Sequence, residues 1–127
     1  MEDTKHPSFA QFAHGFFLTL EEVDWFIDQY LGQHPATDPR VSPLLAGDMT
    51  GLPTAYVAVA GFDVLRDEGE AYARSMAAAG VRVALRRHDR LIHGFANAAG
   101  MGHGNREAML EACGALRVAI GAGTARR

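Results

Sequence analysis

The sequence lacks a second cysteine, a long apolar run and a strong excess of either charge, and each absence excludes a class of protein. Cys113 stands alone and cannot form an internal disulfide, so the chain is compatible with a reducing compartment. No apolar run approaches the roughly 18 residues that a membrane span requires. The 12 basic and 15 acidic residues give a net charge of −3, which favours neither nucleic acid nor an anionic membrane surface as a partner.

The first residues also lack the apolar core of a signal peptide, because Met1–His6 is polar. We therefore expect a cytoplasmic protein with no membrane span. The chain of 127 residues is 48% hydrophobic, which permits one domain at most, with a core of modest size.

Residues 1–54 divide into an apolar lead-in, a helix and a loop. Residues 1–19 contain several phenylalanines without a regular pattern, so we expect an irregular segment that lies on another surface. Thr19 and Glu22 have the spacing of a capping box, which predicts a helix over Leu20–Leu31 that ends at Gly32. The prolines between residues 33 and 54 predict a loop with one short turn near residues 44–46.

Residues 55–127 have the pattern of a βαβα unit. The continuous apolar run Ala55–Ala60 predicts a strand covered on both faces, as in a parallel sheet. The elements that follow are a helix from about Asp67 to Ala79, an alternating strand Val81–Arg86 near an edge, and a helix from about Arg106 to Ile120. This order predicts an α/β fold. Two strands are too few for a finished sheet, so we expect an incomplete one.

Two loops that follow the predicted strands contain the residue types of an acid–histidine pair. Asp63 follows the first strand and His93 follows the second, and the carboxyl ends of parallel strands share one edge of a sheet. A carboxylate placed there can fix the tautomer of an imidazole and stabilise the imidazolium. The alternative for Asp63 is capping a turn. Asp67 competes for the acid role, but its spacing to Glu70 favours an N-cap.

Other clusters of polar residues fit known sites poorly. The spacings of His88, Asp89, His93 and His103 match no common zinc pattern, and no cysteine accompanies them. Residues 100–105 are rich in glycine but lack the lysine and the preceding strand of a phosphate-binding loop. We therefore expect neither a metal nor a cofactor.

Several stretches carry a resemblance to a known family. Residues 38–45 (DPRVSPLL), 51–53 (GLP), 60–69 (AGFDVLRDEG) and 93–95 (HGF) resemble the hormone-sensitive-lipase family of α/β-hydrolase-fold esterases. The opening residues 15–19 (GFFLT) and Trp25-Phe26 are also similar to this family. The resemblance implies the C-terminal portion of that fold, with its last two parallel strands, an ester as substrate and no cofactor. It also implies that Asp63 is the acid and His93 the histidine of a catalytic triad.

The family's G-x-S-x-G nucleophile motif and its His-Gly-Gly-Gly oxyanion loop are not found in this sequence. Its serines are Ser8, Ser42 and Ser75, and none stands on a predicted strand-to-helix elbow. We therefore expect a C-terminal segment of a serine carboxylic-ester hydrolase that is inactive alone. Two alternatives stay open: half of a split esterase completed by an N-terminal polypeptide, or a non-enzymatic remnant. The remnant would bind a partner through its open sheet edge, and that edge also predicts self-association.

Overall fold

The computed structural model describes residues 6–124, and its main elements follow the predicted order. A 3-10 helix over Pro43–Leu45 lies within the proline-containing loop, close to the predicted turn. The other elements are α1 (Pro7–Gln11), α2 (Leu20–Leu31), β1 (Ala55–Phe62), α3 (Arg66–Ala78), β2 (Val83–Ile92) and α4 (His103–Thr124). The α/β arrangement predicted from the sequence is therefore confirmed.

The sheet consists of β1 and β2, which run parallel. The strands are in register as far as the pair formed by Ala60 and His88, after which the pairing is irregular until Phe62 meets Ile92. β2 uses more residues than β1 across this step, as in a β-bulge, and bulges bend a strand close to its end. The distortion therefore lies at the edge of the sheet from which the two candidate loops leave.

The helices α3 and α4 lie on opposite faces of the sheet, as two ion pairs show. Arg86 of β2 pairs with Glu111 of α4, whereas the next residue, Arg87, pairs with Glu70 of α3. Successive side chains of a strand point to opposite faces, so their partners must lie on opposite faces too. The described chain is thus a three-layer arrangement of helix, sheet and helix.

The sheet is incomplete, as expected. Within residues 6–124 it has two strands, so the edge of β1 that faces away from β2 has no strand beside it. Among the helices of the same residues, none combines the length and the apolarity that a helix crossing a bilayer needs.

The lead-in of residues 1–19 differs from the irregular segment expected, because Pro7–Gln11 forms α1. Its residues 1–5 lie outside the described part of the chain. Pro7 suits the first turn of a helix, where an N–H has no partner in any case. Ser8 and Phe9 are buried, so tertiary contacts stabilise a helix that is too short to persist by itself.

The two elements at the end of the chain are longer than predicted. β2 runs over Val83–Ile92 rather than Val81–Arg86, and α4 begins at His103 rather than Arg106 and reaches Thr124. The sequence predicts that this strand ends at Arg86, within a run of charged residues. It continues as a strand because Arg86 and Arg87 find carboxylate partners on the two covering helices.

Two apolar clusters hold the elements together. The first joins α1 and α2 to the loop after β1, and its buried members are Phe9, Phe12, Val23 and Val64. The second lies between α3 and the sheet and contains Met49, Met76 and Val81. The phenylalanine-rich lead-in therefore packs on the loop that carries Asp63, which gives it the surface that its composition requires.

Candidate active site

Asp63 stands at the carboxyl end of β1, directly before α3. Its Oδ1 accepts a hydrogen bond from Leu65 N at 2.9 Å, and its carbonyl accepts one from Arg66 N at 3.1 Å. These bonds form a tight turn, which is the alternative role considered for this aspartate. The turn occupies only one carboxylate oxygen, so Oδ2 stays available for a second partner.

The second partner of Asp63 is His93. Asp63 Oδ2 lies 3.0 Å from His93 Nδ1, which is within hydrogen-bonding distance. A carboxylate can only accept, so Nδ1 carries the proton and donates to Oδ2. Nε2, on the other side of the ring, is then the nitrogen that can accept a proton. The structure thus brings together the two side chains singled out in the sequence.

Gly61 allows the strand that leads to Asp63 to approach β2 closely. A Cβ atom at this position would overlap the backbone of Asp89, in the irregular part of β2. No neighbouring side chain could move aside to relieve that clash, because the obstacle is main chain. Glycine is therefore required two residues before the candidate acid, where the distorted strands approach each other.

The loop that carries His93 folds mainly on itself. Asn97 N donates to Gly94 O at 2.9 Å, Ala98 N to Phe95 O at 3.1 Å, and Met101 N to Ala98 O at 2.8 Å. Successive turns of this kind fix a local path without tying it to distant elements. The His93 side chain is 38% exposed, compared with 11% for that of Asp63.

Phe17 lies beside the turn that follows His93. A Cβ built on Gly94, which has a φ of 77°, would lie 3.3 Å from Phe17 Cε1. Phe17 has a φ of 74° and is 73% exposed. A left-handed backbone is uncommon for an aromatic residue, so this position carries local strain next to the candidate site.

A cleft of about 540 Å³ opens beside the Asp63–His93 pair and runs along β1. Apolar side chains form much of its wall, and α4 contributes Met109 and Ala112. Tyr56 also lines it. Burial raises the pKa of this tyrosine, the nearby charge of Glu111 adds to the rise, and that of Arg86 opposes it. None of the residues described along this cleft is a serine.

Asp67 does not have the N-cap role predicted for it. α3 begins one residue earlier, at Arg66, and Leu65 occupies the cap position. Asp67 instead binds Ser8 and Arg66, while Asp63 is the carboxylate that meets His93. Burial alone would raise the pKa of Asp67, but the hydrogen bonds from Arg66 and Ser8, with the charges of Arg66 and Arg87, hold it below its usual value.

The three serines occupy structural positions. Ser8 is buried in α1, Ser42 Oγ donates to Ala36 O at 2.6 Å, and Ser75 lies within α3. Sequence reasoning set Ser8 aside as a nucleophile but missed its contacts with the loop after β1. Its partners lie 56 and 59 residues away, and no local pattern in the sequence signals such a contact.

The histidines and acids weighed as metal ligands do not assemble. Across the described range of residues 6–124, no group of three or more His, Cys, Asp or Glu side chains could hold a metal ion. His88 instead packs its ring against Phe95, with centroids 5.4 Å apart.

A family model described as the alpha/beta hydrolase fold matches residues 1–97 of the chain. The match includes both the Asp63 and the His93 loops. The chain belongs to this family. The resemblance to hormone-sensitive-lipase-type esterases that the sequence motifs indicated is thereby confirmed.

Two similar proteins come from Mycobacterium tuberculosis. The carboxylic ester hydrolase LipN is 48% identical over 112 residues, which are 87% of this chain and 30% of LipN. The esterase LipI is 36% identical over 120 residues, which are 93% of this chain and 38% of LipI. The chain therefore spans about a third of the length of these relatives.

A solved structure also matches this chain over part of its own length. EstE1, a thermophilic carboxylesterase cloned from a metagenomic library, is 37% identical and superposes with a TM-score of 0.87 over 94% of this chain and 41% of its own. The chain thus has the α/β-hydrolase fold of these proteins over part of their length.

Proposed function

We propose that this chain supplies the acid and the histidine of a serine carboxylic-ester hydrolase, and that the nucleophile and oxyanion donors come from residues outside it. The observation that carries the proposal is the 3.0 Å contact between Asp63 Oδ2 and His93 Nδ1, two residues that line the cleft. The proposal is supported by the family of the chain and by the names of its similar proteins LipN and LipI, which are those of ester hydrolases.

The proposed chemistry is acyl transfer. A serine hydroxyl attacks the ester carbonyl, and His93 Nε2 takes the hydroxyl proton and then delivers it to the departing alkoxide. Asp63 holds Nδ1–H and stabilises the imidazolium that forms between these steps. Water then repeats the sequence on the acyl-enzyme, with the same two proton transfers at His93.

The chain by itself is proposed to be inactive. Its sequence contains no G-x-S-x-G, and its serines hold structural places away from the cleft described beside His93. Purified alone, it should hydrolyse short p-nitrophenyl esters no faster than a His93→Ala variant does. Turnover that His93→Ala abolishes would contradict this and would identify a nucleophile within the chain.

A chimera provides the positive test. The part of LipN that matches this chain is replaced by the chain itself, and ester hydrolysis is measured. We expect activity, with kcat lowered about 10⁴-fold or more by His93→Ala and about 10³–10⁴-fold by Asp63→Asn. His34→Ala, at an exposed position after α2, is the matched control and should change nothing. A folded, active chimera that tolerates the changes at both residues would overturn the roles assigned here.

A second possibility is that the missing residues arrive on a separate polypeptide. The open edge of β1 favours it, because an unpaired strand beside an apolar cleft is a template for another strand. Size-exclusion chromatography with and without the N-terminal two-thirds of a relative would test it. A complex that hydrolyses esters supports a split enzyme, whereas a complex without activity supports a binding role. Self-association of the chain alone is expected from the same edge.

A further inference from the structure

Ser8 connects α1 to both sides of the turn before α3. The residue is fully buried; its Oγ donates to Val64 O at 2.8 Å and accepts from Asp67 N at 3.2 Å. Its backbone N donates to Asp67 Oδ2 at 2.9 Å. One serine from the lead-in thus makes three hydrogen bonds within four residues of Asp63.

Arg66 holds the same turn from the other side. Its Nη1 donates to Gly61 O at 3.0 Å, and its Nε donates to Asp67 Oδ1 at 2.7 Å. Its guanidinium also lies 4.9 Å from the centre of the Phe12 ring, which extends the link to the residues after α1. Arg66 is therefore bonded to the end of β1, to α3 and to the lead-in.

These contacts enclose Asp63. The carbonyls of Gly61 and Val64, on either side of it, accept from Arg66 and Ser8, while its own Oδ1 accepts from Leu65 N. The main chain is thus held on both sides of Asp63, and Oδ1 is held by Leu65 N. The orientation of the remaining oxygen, Oδ2, is therefore restricted.

We infer that Ser8, Arg66 and Asp67 form a positioning clamp that fixes the carboxylate of Asp63 toward His93. The clamp rests on the proposed function only in that the pair it positions is taken to be catalytic. It gives the lead-in a role beyond packing, because a carboxylate held in place selects the tautomer of its histidine partner before any substrate arrives.

The tautomer of His93 provides a test that needs no activity. In the ¹⁵N-histidine-labelled chain, at a pH where the imidazoles are neutral, the nitrogen shifts distinguish Nδ1–H from Nε2–H. We expect His93 to show the Nδ1–H form and Ser8→Ala to lose it, with the amide spectrum still that of a folded chain. Ser42→Ala is the matched control, because Ser42 Oγ also donates to a backbone carbonyl, and it should leave His93 unchanged.

Asp63→Ala separates failure of the clamp from failure of the proposed function. If Asp63→Ala leaves the His93 tautomer unchanged, the acid–histidine pair itself is refuted. If Asp63→Ala removes the Nδ1–H signal but Ser8→Ala keeps it, the clamp is refuted and the pair stands. Should Ser8→Ala unfold the chain, Arg66→Lys takes its place. Lysine keeps the charge of Arg66 but lacks the guanidinium group that bonds to Gly61 O and Asp67 Oδ1 together. An unaltered His93 signal in Arg66→Lys would overturn the clamp.

Discussion

The two halves of the candidate site are held in different ways. The loop that carries Asp63 is buried, and its main chain accepts a hydrogen bond on each side of that residue, from Ser8 of α1 at Val64 O and from Arg66 of α3 at Gly61 O. The loop that carries His93 is half-exposed, and within residues 6–124 its hydrogen bonds are local apart from the one to Asp63. The acid is therefore fixed by this chain, whereas the histidine depends on the acid for its orientation. Contacts from residues outside this chain would therefore change the position of the histidine loop more than that of the acid loop.

The largest expected effect comes from filling the close approach at Gly61. Gly61→Ala places a methyl group against the backbone of Asp89, and overpacking of this kind costs about 1–3 kcal/mol or more of unfolding free energy. Gly100→Ala is the matched control in the histidine loop, because nothing lies within 4 Å of a Cβ there. Urea unfolding of both variants measures the contrast. Equal stabilities would mean that the two loops do not differ as described.

A second comparison removes each member of the pair in turn. Asp63→Ala leaves the Leu65 amide without its acceptor in a buried turn, a loss of about 1–3 kcal/mol. His93→Ala removes a half-exposed partner and should cost at most about 1 kcal/mol. Thermal melts of the two variants at one pH compare these losses. A larger loss for His93→Ala would show that the histidine loop, not the acid loop, carries the stability of this edge.

The sequence predicted the elements whose signals are local. Thr19 and Glu22 indicated the start of α2, and the structure contains both bonds of that capping box, at 2.8 Å and 3.2 Å. The apolar run from Ala55 predicted β1, although the strand continues to Phe62. Asp63 and His93 could be chosen because parallel strands end at a shared edge and because the family motifs marked the same two residues.

Elements that depend on tertiary partners could not be predicted. The predicted second strand ends at Arg86, and its continuation to Ile92 has no local signal, because Arg86 and Arg87 meet carboxylates on helices distant in sequence. α1 is five residues long and has no side-chain cap, so its stability comes from the contacts of Ser8 and Phe9. Asp67 had the spacing of a cap, but burial beside Ser8 and Arg66 gave it another role.

A smaller effect concerns pH and the acid loop. The contacts of Asp67 hold its pKa below the unfolded value of about 3.9, so the stabilisation is complete above that value and is lost as the pH falls through the folded pKa. The wild-type chain should therefore exceed Asp67→Asn in stability near neutral pH, and the difference should shrink in acid. Urea midpoints at several pH values measure it. Asp24→Asn, at an exposed position on α2, is the control, and a difference independent of pH would contradict the assignment.

The smallest effect concerns the support of the histidine loop by Phe17. Its φ of 74° disfavours any residue with a Cβ, and the side chain is 73% exposed, so the ring adds little burial. Phe17→Gly should be more stable than Phe17→Ala by about 0.5–1 kcal/mol, because both lose the ring but only glycine relieves the backbone. At Phe16, which has no positive φ, the order should reverse, since glycine there adds only conformational freedom to the unfolded chain. Chemical unfolding of the four variants gives both differences. If alanine is the more stable of the two at position 17 as well, the backbone of Phe17 is not strained.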